Sequence, residues 1–153
     1  YSLNTLAIVL IARKRPVEAL ECIDRILAFD KDDPQIVMNR GSLLRDMGRY
    51  DDALAAYRSV LAKCPGEAHH ELGFIHYLLH QWSEAESELT RSLEAGYVHA
   101  YYTRGAARIW AGDARGAVED FDRAAKLDAS EKRRSDAATH AAGIRHKYNL
   151  GDK

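Results

Sequence analysis

The chain has 153 residues, 46% of them hydrophobic, 8% aromatic and 29% charged, and 22 basic against 23 acidic side chains leave a formal net charge of -1. That apolar share is too high for a disordered tail, and the charge balance gives no bulk attraction to nucleic acid or to a membrane surface. Length points to one domain, and the absence of any proline after Pro65 suits a helical chain.

Beginning at Tyr1 rather than Met, the chain reads as a processed or truncated piece of something longer. The densest apolar run, Leu6 to Ala12, is far short of the roughly 20 residues that cross a bilayer. Arg13, Lys14 and Arg15 follow that run instead of preceding it, so no signal peptide is read. Cys22 and Cys64 are isolated, without a CxxC partner, which fits a reducing, cytoplasmic setting better than a disulfide framework or a zinc cluster.

Internal repetition decides the fold. Ala7, Gly41, Gly73 and Gly105 form one column of small residues; Ala19, Ala53, Ala85 and Ala117 form a second, always 12 residues later. Ile23, Tyr57, Leu89 and Phe121 place a large side chain four residues after each of those alanines. Leu27, Leu61, Leu93 and Ala125 follow after four more. Small residues let two helix backbones approach where they cross, and large ones fill the space beside the crossing. Paired antiparallel helices stacked in series are expected.

In chain order, the first unit (1–33) is the loosest, with Leu6, Ala7, Ala19 and Ile23 alone in register. The second (34–65) starts well, because Asp33 can cap and Pro34 is tolerated in a first helical turn. Val37, Gly41 and Leu44 give its first stripe; Gly48 and Arg49 make the turn; Tyr50, Ala53, Leu54, Tyr57, Val60 and Leu61 give the second stripe. The third unit (66–97) carries Leu72, Gly73 and Ala85 and ends near Gly96. The fourth (98–129) carries Tyr101, Gly105, Gly112, Ala117, Phe121 and Ala124. Residues 130–148 leave the repeat: Ala137, Ala141, Ile144 and Tyr148 form a narrow stripe on a polar helix, which reads as a cap over the last unit, the alternative being the start of another unit or a linker. Residues 149–153 are a tail.

These columns resemble the tetratricopeptide repeat (TPR) family over roughly residues 1–130. The resemblance implies an all-α, right-handed superhelical solenoid of about four helix pairs plus the capping helix. Arg40 and Arg104 precede the small-residue column, and His76 and Arg108 stand where the family usually buries an aromatic. Their stems can lie on apolar surface, and their charges can pair between neighbouring units.

His76 and His80 share a helix face, yet they occupy a packing and a turn position and lack the HExxH arrangement of a zinc helix. No metal site or cofactor is expected. No GxSxG, Walker or GxGxxG motif occurs, so no enzyme is read. Lys132, Arg133 and Arg134 make a solvated charge run, not a nucleic-acid site.

The family resemblance further implies a concave groove lined by the first helix of each unit. Carried over by register, its lining is Asn4, Ile8 and Ile11, then Met38, Ser42 and Arg45, then His70, Phe74, Tyr77 and Leu78, then His99, Tyr102, Ile109 and Trp110. Aromatic and long apolar side chains of this kind dominate binding hot spots. The carboxylate clamp of TPR co-chaperones is missing: Asn39 matches one of its positions, but Glu67 and Glu71 would repel an acidic tail. The expected partner is a protein or peptide segment, apolar or amphipathic, with no nucleic acid and no membrane insertion. The chain is thus read as a non-catalytic interaction module (adaptor, scaffold or chaperone-like). The alternatives are a substrate-presenting appendage of a larger enzyme, such as a glycosyltransferase or sulfotransferase, and a self-associating solenoid.

Overall fold

A computed structural model describes residues 3–31 and 33–151, the side chain of Asn4 apart. Among the described residues there are nine helices and no strand: α1 (Leu3–Ala12), α2 (Pro16–Phe29), α3 (Pro34–Asp46), α4 (Tyr50–Ser59), α5 (Pro65–Leu78), α6 (Trp82–Glu94), α7 (Ala100–Trp110), α8 (Ala114–Leu127) and α9 (Glu131–Tyr148). The chain divides into two compact units, Tyr1–Glu71 and Leu72–Lys153, with α5 running across the division.

The turns inside the helix pairs are built alike. Lys14, Gly48, His80 and Gly112 all adopt positive φ, at 56°, 75°, 60° and 87°. Beyond each, a backbone N–H reaches back five residues to a helix carbonyl: Arg15 to Leu10, Arg49 to Leu44, Gln81 to His76 and Asp113 to Arg108, at 2.8–2.9 Å. Together with the N–H of the left-handed residue itself, this satisfies carbonyls that a helix end would otherwise leave open. The conformation suits glycine, so Lys14 and His80 carry a backbone strain that Gly48 and Gly112 do not.

In the first unit, α1 packs on α2, α2 on α3 and α3 on α4. Asp33 caps α3, accepting from the N–H groups of Gln35 and Ile36 at 2.8 and 3.4 Å. The small-residue column meets the large-residue column directly: a Cβ added at Gly41 would stand 2.5 Å from Tyr57 Cε1. Ala19, Leu44, Ala53 and Tyr57 are fully buried around these crossings. Arg40 reaches back to Asp24 on α2 at 2.7 Å, a charge pair between successive repeats.

The second unit repeats the arrangement and adds a cover. Gly73 abuts Leu89, and Gly105 abuts Phe121. Arg104 holds Asp120 with two hydrogen bonds of 2.7 and 2.8 Å and donates to Thr90 on α6 at 2.9 Å. Arg108 joins the same carboxylate at 3.0 Å and Glu86 at 2.7 Å. The two arginines that replace aromatic or aliphatic packing therefore converge on one buried acid. Helix α9 lies against α8, with Ala137 and Ala141 fully buried beside Phe121 and Ala124, and Ile144 packed on them. Tyr148, expected on the same stripe, is instead 46% exposed, because it falls in the last turn, beyond the covered surface.

Candidate protein-interaction site

The second unit assembles an aromatic row. Phe74 and Tyr77, one turn apart on α5, stack at 6.2 Å between ring centroids. Tyr77 meets Trp82 edge-on at 5.6 Å. Trp82 stacks on His80 at 5.1 Å and on Trp110 at 6.0 Å. The left-handed turn at His80 makes this possible, because it brings the first residue of α6 back beside the end of α5. Trp110, the last residue of α7, leaves 65% of its surface in solvent. Offset and edge-to-face rings of this kind hold one another rigid, so a ligand side chain packed on them orders few new torsions.

Next to Trp110 in sequence, Ile109 opens onto a cleft of about 290 Å³ whose far wall is Ile144, Gly143 and Tyr148 of α9. Its polar edge is Thr139, His140 and Lys147. A second cavity of about 550 Å³ lies between α8 and the end of α9, lined by Arg115, Lys126 and Arg145 but also by Glu119 and Asp122, so its charges largely offset.

Two groove candidates of this unit have other duties. Tyr102 is half-buried, edge-on to Phe121 at 5.3 Å and to His140 of α9 at 5.7 Å, so the capping helix takes the surface assigned to a ligand. Burial pushes its hydroxyl pKa up, aided by the charge of Asp136. His99 precedes α7 and donates to Asp128 at 2.8 Å, which fixes the connection into α9. Burial raises the Asp128 pKa, but the bonds from His99 and the Ser130 N–H, with the charges of His99 and Arg133, outweigh it and hold the carboxyl below its ordinary value.

In the first unit, Ser42, Arg45 and His70 do come together, around Glu71 and Tyr57. Arg45 pairs with Glu71; Tyr57 donates to the same carboxylate at 3.3 Å and lies 3.2 Å from Ser42; His70 stands 3.2 Å from the other Glu71 oxygen. Burial raises the Glu71 pKa, yet His70, Arg45 and Tyr57 outweigh it and keep the carboxyl ionised below its ordinary range. The Tyr57 hydroxyl is driven well up, chiefly by burial. Arg45 is thus paired with an internal acid. Met38 corrects the register reading outright: it is 7% exposed, its flexible side chain having turned into the packing of α3. Ile8 is 60% exposed. Asn4 belongs to α1, but its side chain lies outside the described residues.

His76 is within hydrogen-bond distance of the Gln81 amide, at 2.7 Å, and His80 occupies the turn. Register reasoning missed Trp82, since it considered first helices alone. The available signal was a tryptophan two residues after the turn residue His80, at the start of a second helix.

Small residues at each crossing, a left-handed turn in each pair and helices in pairs are the features of a tetratricopeptide-repeat fold. Residues 6–72 match the model of the tetratricopeptide repeat family, and solved structures extend the same fold across the chain. MamA residues 41 to the end, from Desulfovibrio magneticus RS-1, is 22% identical over 99% of this chain and 96% of that one, with a TM-score of 0.70. A tetratricopeptide repeat protein from Parabacteroides merdae ATCC 43184 is 18% identical over 96% of this chain and 60% of that one, with a TM-score of 0.73. The first TPR of Spaghetti (RPAP3), bound to the HSP90 peptide SRMEEVD, is 20% identical over 72% of this chain and 92% of that one, with a TM-score of 0.61. At such identities the likeness is one of fold. Comparison with curated proteins finds no match. Among the described residues, no helix is long and apolar enough to cross a membrane.

Proposed function

We infer that the protein is a non-catalytic interaction module whose second unit holds an apolar or amphipathic peptide segment against Phe74, Tyr77, Trp82 and Trp110. The observation that carries this is the rigid aromatic row ending in the exposed indole of Trp110. An apolar anchor of the ligand would enter the cleft beside Ile109, with Lys147 and His140 at its edge setting orientation. In this reading the pairs within 1–33, 34–65, 66–97 and 98–129 are the repeats, and α9 caps the last. The two free cysteines fit a reducing, cytoplasmic setting. A peptide-bound TPR structure among the neighbours supports a peptide as the class of ligand, although Glu67 and Glu71 argue against an acidic tail.

The chain contains two tryptophans, Trp82 and Trp110, and both stand in the row, so intrinsic fluorescence reports directly on it. A panel of amphipathic helical peptides is titrated beside their scrambled forms and acidic C-terminal peptides. Saturable emission shifts with the amphipathic peptides, lost in Phe74→Ala/Trp110→Ala at unchanged helicity, are expected. Absence of any shift, or binding that survives the double substitution by calorimetry, overturns the assignment.

A further inference from the structure

The left-handed turn that closes each helix pair has a fixed place in the repeat. Lys14, Gly48, His80 and Gly112 step by 34, 32 and 32 residues, and a further step of 32 falls on Ile144. Ile144 does not turn, because α9 runs on to Tyr148. The same device then arrives five residues late, with Asn149 at φ 54° and the Leu150 N–H reaching back to the Arg145 carbonyl at 2.9 Å. Five more residues add about 7.5 Å of helix. That extra length is the far wall of the cleft beside Ile109, so the cleft is formed by described residues on both sides.

Two features of the wall serve no contact inside the molecule. Gly143 is helical, yet a Cβ added there would meet nothing within 4 Å. Glycine inside a helix costs about 1 kcal/mol relative to alanine. Gly41, Gly73 and Gly105 offset that cost by receiving Tyr57, Leu89 and Phe121 from a crossing helix, whereas Gly143 leaves bare backbone along the cleft. Lys147 lies over the Tyr148 ring at 5.2 Å, and among the described residues no carboxylate pairs with it. Arg145, two residues earlier, has Asp122. No acid lines the cleft, and His140 at its edge already donates to the Asp136 carbonyl at 2.6 Å.

Together these features specify one occupant. In this fold, bare backbone on a helix is where a crossing helix sets down a large apolar side chain. An unopposed ammonium beside that point selects a carboxylate close to the apolar anchor. On a helix, two such groups fall side by side when they are three or four residues apart. An acidic tail with no anchor would leave Ile109 and Ile144 wet, and a basic helix would meet Lys147.

We propose that the cleft between Ile109 and residues 143–147 of α9 holds an amphipathic helix of a partner protein, with a large apolar residue set on Gly143 and an Asp or Glu one turn away paired to Lys147. This rests on the reading of the second unit as a peptide-binding module, and adds the ligand's charge and its point of contact.

The test is calorimetry of the whole chain with two helical peptides that differ at one position, a Phe anchor being followed four residues later by Glu or by Lys. The Glu peptide is expected to bind about five- to tenfold more tightly at low salt, and Lys147→Glu to invert the preference. Gly143→Leu fills the wall with a good helix former, so its melting temperature holds or rises while both peptides bind about tenfold more weakly or worse. Equal binding of the two peptides, a preference unmoved by Lys147→Glu, or undiminished binding to Gly143→Leu overturns the proposal. If such binding is still lost in Phe74→Ala/Trp110→Ala, the aromatic row stands without it. Charge-selective binding that survives Phe74→Ala/Trp110→Ala removes the row and keeps the cleft, and no binding of either peptide overturns both.

Discussion

Gly73 lies so close to Leu89 that a Cβ at that position would stand 2.6 Å from Leu89 Cγ and 3.2 Å from the carbonyl oxygen of Ala85. Leu89 is fully buried, and a branching carbon offers no free end to swing away. Gly73→Ala therefore forces α5 and α6 apart, and this outweighs the roughly 1 kcal/mol by which alanine favours a helix over glycine. A net loss of about 1–2 kcal/mol in urea unfolding is expected. Gly143, also inside a helix, has nothing within 4 Å of its would-be Cβ, so Gly143→Ala should stabilise by up to about 1 kcal/mol. Equal effects at the two sites would contradict the packing assignment.

The four left-handed turns give a second comparison. Lys14 holds φ 56° where Gly48 and Gly112 hold 75° and 87°. A side chain in this region costs about 1–2 kcal/mol, part of which glycine returns through its greater freedom in the unfolded chain. Lys14→Gly is expected to stabilise by about 0.5–1 kcal/mol and Gly112→Ala to destabilise by about 1–2 kcal/mol. Thermal melts with both variants check the sign at each position; a destabilising Lys14→Gly would mean that its turn is not strained.

Much of this architecture was legible in the sequence because a repeat reports the same contact several times. Gly41, Gly73 and Gly105 align with Tyr57, Leu89 and Phe121, and the structure brings each pair into contact. The site was less legible, for a physical reason. Register says which side of its own helix a residue occupies, but not what later covers that side. Tyr102 and His99 were assigned to a ligand, yet residues 128–140 reach them first. Register alone puts Arg45 in the groove lining, and the repeat pattern carries no information on its partner, Glu71, 26 residues away.

Asp120 is 2% exposed and accepts from both Arg104 and Arg108. Removing it leaves two half-buried guanidinium groups without their shared counter-charge, and breaking a buried pair from one side typically costs about 3–5 kcal/mol. Arg108 keeps Glu86, which softens the loss, so Asp120→Ala is expected near the lower end, about 3 kcal/mol. Arg108→Leu, which leaves Arg104 bonded to Asp120 and restores an apolar side chain at this packing register, should cost far less. Chemical denaturation of both variants tests the ranking, and a mild Asp120→Ala would show that the acid is not the centre of the cluster.

The His99–Asp128 contact makes stability depend on pH in a defined direction. The folded Asp128 carboxyl sits below its ordinary 3.8, so the unfolded chain binds the proton more readily. A depressed folded pKa contributes stability that is fully present above the unfolded value and is lost as pH falls through the folded one. Glu71, held below its ordinary 4.5 by His70, Arg45 and Tyr57 against the opposing effect of burial, adds a loss of the same sign beginning at slightly higher pH. Unfolding free energy should therefore be flat above roughly pH 5.5 with respect to these two groups and decline below it. Asp128→Asn keeps an oxygen for the Ser130 N–H but cannot titrate, so it should lower stability at pH 6 and flatten the decline below about pH 4. Glu71→Gln should flatten the part of the curve nearer pH 4.5. Urea titrations at half-unit pH intervals separate the two; an Asp128→Asn curve parallel to wild type throughout would mean that the carboxylate does not hold α7 to the start of α9.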